Sequence, residues 1–376
     1  MIQVLAAAAI ILCAPATSDF ALAAPARRTV LADLERLVQA AGSPPARVPV
    51  AMLRVVAPGL DLAWEGEAGI AADGPRTLRI ASNTKTFVAA ATLRLAEEGR
   101  LDLDAPIAGR LLPQSRTLLQ DGGYDPAVLT PRMLLQHTSG LFDHASSQRY
   151  LDRVVAQPDY RWTRHEQVRM AMVDGRPYGL PGERFRYSDT GYVLLGEILE
   201  TTTGQPMAEA VGSLLEFGRL GITHTWFETL EPAPPDAPAR LTQWFDGVDV
   251  ASIDASVDLF GGGGLLSTLQ DMTRFYRALL RGDVFRHDST LEMMVEPSPQ
   301  SIASGEGGYG IGLARIVIDD QSCYGHGGFW GTEAWHCPDA DVTVAGAVSS
   351  TSGHEALRGM TRSALALLLS ESEDSE

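Results

Sequence analysis

Apolar and polar positions alternate differently in three stretches of this chain. Over residues 29–41, Val30, Leu31, Leu34, Leu37 and Val38 recur at helical spacing and Gly42 follows, which predicts a helix. Residues 48–56 and 60–70 read as strands, with Pro58-Gly59 as the turn between them, and 77–80 as a further short strand. Over 82–98 the helical period returns: Phe87, Val88, Ala91, Leu95 and Ala96 form an apolar stripe that Gly99 closes. From Arg100 to about Gly308 strand alternation is scarce, and helices are predicted at 131–136, 165–173, 191–203, 207–215 and 268–280. Strands resume at 309–319, 322–329, 331–337 and 342–349, and a last helix covers 353–369 before an acidic tail.

Strands, a long helical insertion and strands again predict an α/β (α+β) fold. An antiparallel sheet would be flanked by the N- and C-terminal helices (about 25–81 plus 309–370), with a large all-helical inserted lobe (about 82–308). Within the insertion, residues 231–239 form a proline-rich surface loop. The run Gly261 to Gly264 precedes Ser267-Thr268-Leu269-Gln270, a capping-box pattern. No lysine follows these glycines, so tight packing explains them better than phosphate binding.

Composition adds exclusions. The 376 residues are 45% hydrophobic and 20% charged, ample for a large core. The net charge of −17 comes from scattered acidic residues, and no basic stripe exists to meet phosphates, so nucleic acid is not an expected partner. Val4 to Ala16 is almost continuously apolar and Ala21-Leu22-Ala23 matches a cleavage site, which predicts a signal peptide over 1–24 and a secreted or periplasmic protein. The segment has no lysine or arginine before Arg27, which leaves a buried or membrane-lying N-terminal helix as the competing reading. No other stretch has the ~18 apolar residues that span a bilayer, so no stable span is expected after processing. Cys13 would leave with the signal. Cys323 and Cys337 lie equally far from Trp330 on two predicted strands, so a hairpin there would place them opposite each other. A disulfide in an oxidising compartment and two free, half-buried thiols both fit.

Basic composition changes the picture at one position. Of the 30 basic residues only Lys85 is lysine. Arginine serves equally well on a solvated surface, but only an amine can give up its proton. Lys85 follows Ser82 by three residues, which puts both side chains on one helix face. A serine hydroxyl needs a nearby base, and an amine can serve if its surroundings lower its pKa. S-x-x-K alone is common by chance; a surface lysine beside a capping serine is the plain alternative.

Two further motifs follow in order: Arg186-Tyr187-Ser188-Asp189-Thr190-Gly191-Tyr192, and Tyr324-Gly325-His326-Gly327-Gly328 near the C-terminus. The set resembles the penicillin-recognising serine hydrolases. The nearest branch holds class C β-lactamases, D-alanyl-D-alanine carboxypeptidases, D-aminopeptidases and β-lactamase-like esterases, with S-x-x-K, Y-x-N and a K-T-G or H-x-G strand. Met133 to Leu141, Pro181-Gly182-Glu183 and Gly262 to Leu265 are similar too, so the resemblance spans roughly 28–370. It implies a β-lactamase-like fold and an acyl-enzyme. Ser82 would be the nucleophile, with Lys85 and Tyr187 sharing acid–base work. The backbone N–H groups of Ser82 and Phe329 would form the oxyanion hole. Asp189, His326, Gly327 and Gly328 would contact substrate. No cofactor or metal is implied, and no H-E-x-x-H occurs.

Asp189 stands where the family usually has Asn, and a carboxylate would hold Lys85 charged and shift base work towards Tyr187. Gly327 replaces a Thr or Ser whose hydroxyl would grip a substrate carboxylate. Both changes favour neutral or amine-bearing esters and amides over β-lactams and peptides ending in free D-alanine. His326-Gly327-Gly328-Phe329 also matches a lipase oxyanion motif, but no G-x-S-x-G elbow accompanies it. His137 reads as a hydrogen-bonded structural histidine, Tyr309 as core, and Trp330 as packing or as part of an acyl pocket. The expected function is an exported serine hydrolase acting on a small-molecule or peptide substrate, of esterase or D-amino-acid peptidase or amidase type. A catalytically weak penicillin- or peptidoglycan-fragment-binding protein and an acyltransferase or peptide cyclase are the rivals.

Overall fold

The computed structural model describes residues 24–43, 48–69, 74–305 and 307–373. The leader-like segment with Cys13 and its cleavage pattern lies outside the described residues.

Six antiparallel strands carry the fold: β1 (Val50–Ala57), β2 (Leu62–Gly69), β3 (Ala314–Ile318), β4 (Gln321–Gly328), β5 (Thr332–Cys337) and β6 (Val342–Val348). Their order is β2-β1-β6-β5-β4-β3, so strands from the two ends of the chain meet at β1 and β6, in register Ala51↔Val348 to Val56↔Thr343. Every residue of β6 is buried. A strand covered on both faces is apolar along its whole length, as Val-Thr-Val-Ala-Gly-Ala-Val nearly is.

Five helices matter here: α1 (Ala24–Ala41), α2 (Thr84–Glu97), α3 (Asp189–Thr203), α4 (Leu269–Leu280) and α5 (His354–Glu373). Val30, Leu34 and Val38 of α1 join Leu365 and Leu368 of α5 against Leu53, Val55 and Val344 on one sheet face. Cys323 and Cys337 are joined by a disulfide across β4 and β5 within this layer. The other face is covered by α4, which packs on β1, β5 and β6. This helix therefore belongs to the sheet layer, although its residues fall within the stretch expected to form the helical lobe.

The inserted lobe is not all helical. Leu78–Arg79, Leu265–Ser267 and Trp226–Phe227 make a three-stranded sheet, and Trp244–Phe245 pairs with Val248–Asp249. Strands of two or three residues are too short to show a period of two. Helices at Pro113–Asp121, Gln148–Ala156, Asp288–Val295 and Pro299–Ala303 also go beyond the sequence pattern. Their partial exposure leaves much of each surface polar. The predicted capping box shifts as well: Thr268, not Ser267, caps α4, accepting from Asp271 N at 3.1 Å.

Helix α2 differs from its predicted stripe because it is buried on all sides from Thr84 to Leu95. It runs through the centre of the larger core, with Leu194 and Leu195 of α3 and Phe275 of α4 in the same cluster. The small side chains of Ala89, Ala90 and Ala91 suit such close approach on every side.

Candidate active site

Ser82 sits in a 3-10 turn, Ala81–Asn83, that leads into α2. Ala81 has φ +46°, a left-handed conformation costly for a residue with a Cβ. The surroundings hold the turn there. Asn83 Nδ2 donates to Ile80 O at 3.2 Å and to Thr332 Oγ1 at 3.0 Å, and Tyr276 OH donates to Asn83 Oδ1 at 2.9 Å. Gly328, at the end of β4, lies so close that an added Cβ would be 2.2 Å from Ile80 O. Its lack of a side chain lets the strand edge reach the turn, and Phe329 thereby lines the same clefts as Ser82.

One turn further on, Lys85 is completely buried. Its Nζ donates to Ser82 Oγ at 2.9 Å and to Gly262 O at 2.5 Å, and pairs with Asp189 Oδ1 at 2.5 Å. The glycine run thus does more than pack tightly, because it presents a carbonyl to the ammonium. Burial alone would drive the proton off Lys85, but the charge of Asp189 and the contacts with Tyr187 prevail and hold its pKa above the ordinary lysine value. The resting group is an ammonium held among Ser82 Oγ, Gly262 O and the Asp189 carboxylate, with the Tyr187 hydroxyl as a further neighbour.

Tyr187 reaches the same point from the segment that leads into α3. Its hydroxyl is hydrogen-bonded to Ser82 and Lys85; burial pushes its pKa up to about 12, with Lys85 opposing and Asp189 reinforcing the rise. His137 backs its ring at 4.2 Å between centroids with planes tilted by 31°. The backbone of His137 is left-handed at φ +55°. Its carbonyl accepts from Arg186 N at 2.8 Å and its Nδ1 from Ser188 N at 3.2 Å, so it clamps both neighbours of Tyr187. The sequence shows His137 as a structural histidine; its partner is invisible there because 50 residues separate them.

His326 lies on β4 and is nearly buried. Its Nδ1 contacts Gly327 O at 2.6 Å and its Nε2 contacts Tyr309 OH at 3.0 Å. Burial, helped by the charge of Lys85, lowers its pKa to about 4, so it is neutral at pH 7. Gly327 pairs with Glu333 across β4 and β5, and a Cβ there would stand 3.8 Å from Glu333 Oε1.

Two clefts open from Ser82. One, of about 300 Å³, is walled by Tyr150, Phe245, Phe329 and Trp330, with Asp143, Asp189 and Asp258 in its lining and no lysine or arginine among the described residues there. Asp143 accepts from Asp189 N at 3.0 Å; burial and the charge of Asp189 raise its pKa to about 7. Asp258 accepts from Trp330 Nε1 at 2.8 Å, and its buried Oδ1 finds no hydrogen-bond donor among the described residues. Its pKa rises to about 6, chiefly by burial. The second cleft, of about 260 Å³, has His326, Gly327, Glu333, His354 and Arg358 in its wall. Asp143, Asp258 and Glu333 escape sequence reasoning because a lone acid without a motif carries no signal. Among the described residues no His, Cys, Asp or Glu cluster could hold a metal ion.

An antiparallel sheet with terminal helices on one face, an inserted lobe, and a serine, lysine and tyrosine meeting between them define a serine hydrolase of β-lactamase-like fold. Residues 64–369 match the family model described as Beta-lactamase. The chain belongs to this family, within the penicillin-recognising serine hydrolases. It is 30% identical over 296 residues to esterase EstB of Burkholderia gladioli, covering 72% of this chain and 74% of the esterase. It is 26% identical over 296 residues to a putative D-alanyl-D-alanine carboxypeptidase of Escherichia coli, covering 70% and 67%. Among solved structures, a D-stereospecific amidohydrolase from Streptomyces superposes with TM-score 0.76 at 28% identity, over 88% of this chain and 98% of that one. The D-amino acid amidase of Ochrobactrum anthropi shares the fold, with TM-score 0.73 at 24% identity over 93% and 100%.

Proposed function

We propose that this protein is an exported hydrolase that forms an acyl-serine on Ser82 and cleaves esters or amides whose acyl part carries an amine. The observation that supports the chemistry is the meeting of Ser82, Lys85 and Tyr187 in one hydrogen-bonded cluster at the junction of two clefts. Ser82 attacks the carbonyl, and the backbone N–H groups of Ser82 and Phe329 receive the oxyanion. Lys85 is charged and Tyr187 neutral at rest, so the reactive form is the one in which this pair has lost one proton between them. That form takes the proton of Ser82 and returns it to the leaving group. Asp189 and His326 shape the pair without contributing a mobile charge of their own, and Gly327 and Gly328 leave the strand edge open to the substrate.

The acyl preference follows from the first cleft. Aromatic faces and the ionised fractions of Asp143 and Asp258 favour an ammonium over an anion, while Asp189 is already paired with Lys85. Glu333 beside Gly327 adds one acid to the second cleft, which Arg358 also lines. D-amino acid amides and the corresponding esters fit this description; two of the structural neighbours are named as a D-amino acid amidase and a D-stereospecific amidohydrolase. Export is supported by the leader-like residues 1–24 and by the disulfide.

Intact-mass spectrometry after mixing with a cephalosporin, a D-alanyl peptide, a D-amino acid amide and a short ester tests the proposal. An adduct on the amide or ester that decays with product release, and its loss in Ser82→Ala, is the expected result. Faster turnover of the cephalosporin or faster release of D-alanine would overturn the substrate preference. No adduct with any donor, or with a fluorophosphonate, would overturn the acyl-enzyme.

A further inference from the structure

Behind the proposed catalytic cluster, three side chains are joined in a row, of which only His326 reaches a cleft wall. Ser188 N donates to His137 Nδ1 at 3.2 Å. His137 Nε2 is 3.3 Å from Tyr309 OH, and Tyr309 OH is 3.0 Å from His326 Nε2. His326 Nδ1 is 2.6 Å from Gly327 O. All three side chains are buried.

The proton positions follow from the two ends. A backbone N–H can only donate, so His137 Nδ1 carries no proton and Nε2 does. A carbonyl can only accept, so His326 Nδ1 carries the proton and Nε2, in the neutral ring, is bare. Tyr309 stands between a donor and an acceptor, and its hydroxyl satisfies both by accepting from His137 and donating to His326. Tyr192 lies close enough to offer Tyr309 a second acceptor. However, its own proton is committed to Leu135 O at 2.9 Å, and an imidazole nitrogen is a stronger acceptor than a phenol oxygen. The row therefore runs in one direction, from Ser188 to Gly327, with no proton left over and no acceptor left empty.

We propose that Tyr309 is a positioning residue, whose hydroxyl locks the histidine that backs Tyr187 to the strand that leads into Phe329. Through this row the base and the oxyanion donor share one rigid frame, although they come from the inserted lobe and the sheet. The inference rests on the acyl-serine reading for its kinetic consequence only; the tautomers stand on hydrogen-bond geometry alone. Protonating His137 would set its Nδ1–H against Ser188 N–H, and protonating His326 would turn the Tyr309 hydroxyl away from it towards Tyr192; either reverses or breaks the row. The charges around it oppose this on balance. His137 faces Lys85, Tyr187, Tyr192 and Tyr309; His326 faces Lys85, Tyr187, Asp189 and Tyr309, with Glu333, His354 and Arg358 across the second cleft. Burial and Lys85 keep both rings neutral, against the pull of Asp189 on His326.

The test is nitrogen-detected NMR of histidine-labelled protein, combined with the kinetics of Tyr309→Phe. In the native protein His137 should carry its proton on Nε2 and His326 on Nδ1, and neither ring should titrate between about pH 5 and 8. In Tyr309→Phe the bare Nε2 of His326 loses its donor, and that ring should titrate at least partly within the same range. Its kcat on a neutral short ester should fall ~10-fold or more with KM within ~3-fold, the mark of misplaced catalytic groups rather than lost binding. The opposite tautomer in either ring, titration of either ring in the native protein, or a native kcat in the variant would overturn the proposal. If Tyr309→Phe does not fold, the native tautomers decide the matter. A protein with these tautomers but no acyl-enzyme would refute the catalytic reading and leave the row intact.

Discussion

Replacing Asp189 by Asn tests how charge is held beside the proposed nucleophile. The carboxylate lies 2.5 Å from Lys85 Nζ, and its side chain is 21% exposed against 0% for the lysine. At an effective dielectric constant of ~20, unit charges at that separation attract by ~7 kcal/mol. Water at the exposed side of Asp189 screens much of this. If only a fifth survives, ~1.4 kcal/mol of preference for the ammonium is lost, a tenfold gain in the ratio of amine to ammonium. Asn keeps the shape and can still accept from Lys85. The sign follows from the direction of the shift: Lys85 and Tyr187 both have raised pKa values, so native acylation should climb with pH through the neutral and alkaline range. In Asp189→Asn the climb should begin at lower pH, with acylation at pH 7 faster by ~10-fold or more. Stopped-flow acylation by a short neutral nitrophenyl ester measures this free of any ammonium in the substrate. A variant slower at every pH, with an unmoved profile, would refute the reasoning and make the carboxylate itself a participant in proton transfer.

Lys85→Arg should abolish most acylation, by ~10²-fold or more in a pre-steady-state assay, because guanidinium cannot give up its proton; near-native acylation would return the lone lysine to coincidence. Gly327→Thr has room, since the nearest atoms to an added Cβ are Glu333 Cγ at 3.7 Å and Oε1 at 3.8 Å. It should raise kcat/KM for a peptide ending in D-alanine relative to an amine-bearing ester, measured as a ratio in one competition assay. Asp258→Asn should lower the preference for a cationic over an isosteric neutral acyl ester by ~5-fold or more while leaving the neutral ester within ~2-fold. Changing Cys323 and Cys337 together to Ser should cost ~3 kcal/mol in urea unfolding, the entropy of closing a loop with sequence separation 14, without altering kcat.

What the sequence made legible was what lies close along the chain or has a fixed motif spacing. Ser82 and Lys85 share a helix face, Tyr187 precedes a helix start, and His326 sits on an alternating strand; each belongs to a local pattern, and the structure brings them within contact of one another. The sheet was legible for the same reason, since each of its six strands falls on a stretch whose alternation or bounding turn residues mark a strand. The short strands of the inserted lobe were not, and the assignment of α4 to the sheet face was not, because an amphipathic helix announces an apolar side but not what will cover it. The same limit explains the site. Asp143, Asp258 and Tyr309 act through partners distant in sequence: Asp189 for Asp143, Trp330 for Asp258, and for Tyr309 two histidines, one of them 172 residues away; Glu333 meets Gly327 only through the pairing of β4 with β5. A motif identifies reacting atoms because their spacing is dictated by chemistry. The groups that set charge and hold tautomers have no such constraint, so this chain's departures from its family, Asp189 and Gly327, gain meaning only once the carboxylates and hydrogen bonds around them are in view. Asp189 is then the partner of Lys85 beside two further acids, Asp143 and Asp258, and Gly327 is the neighbour of a fourth, Glu333, in a cleft that Arg358 also lines, so each substitution is read through the charges packed around it.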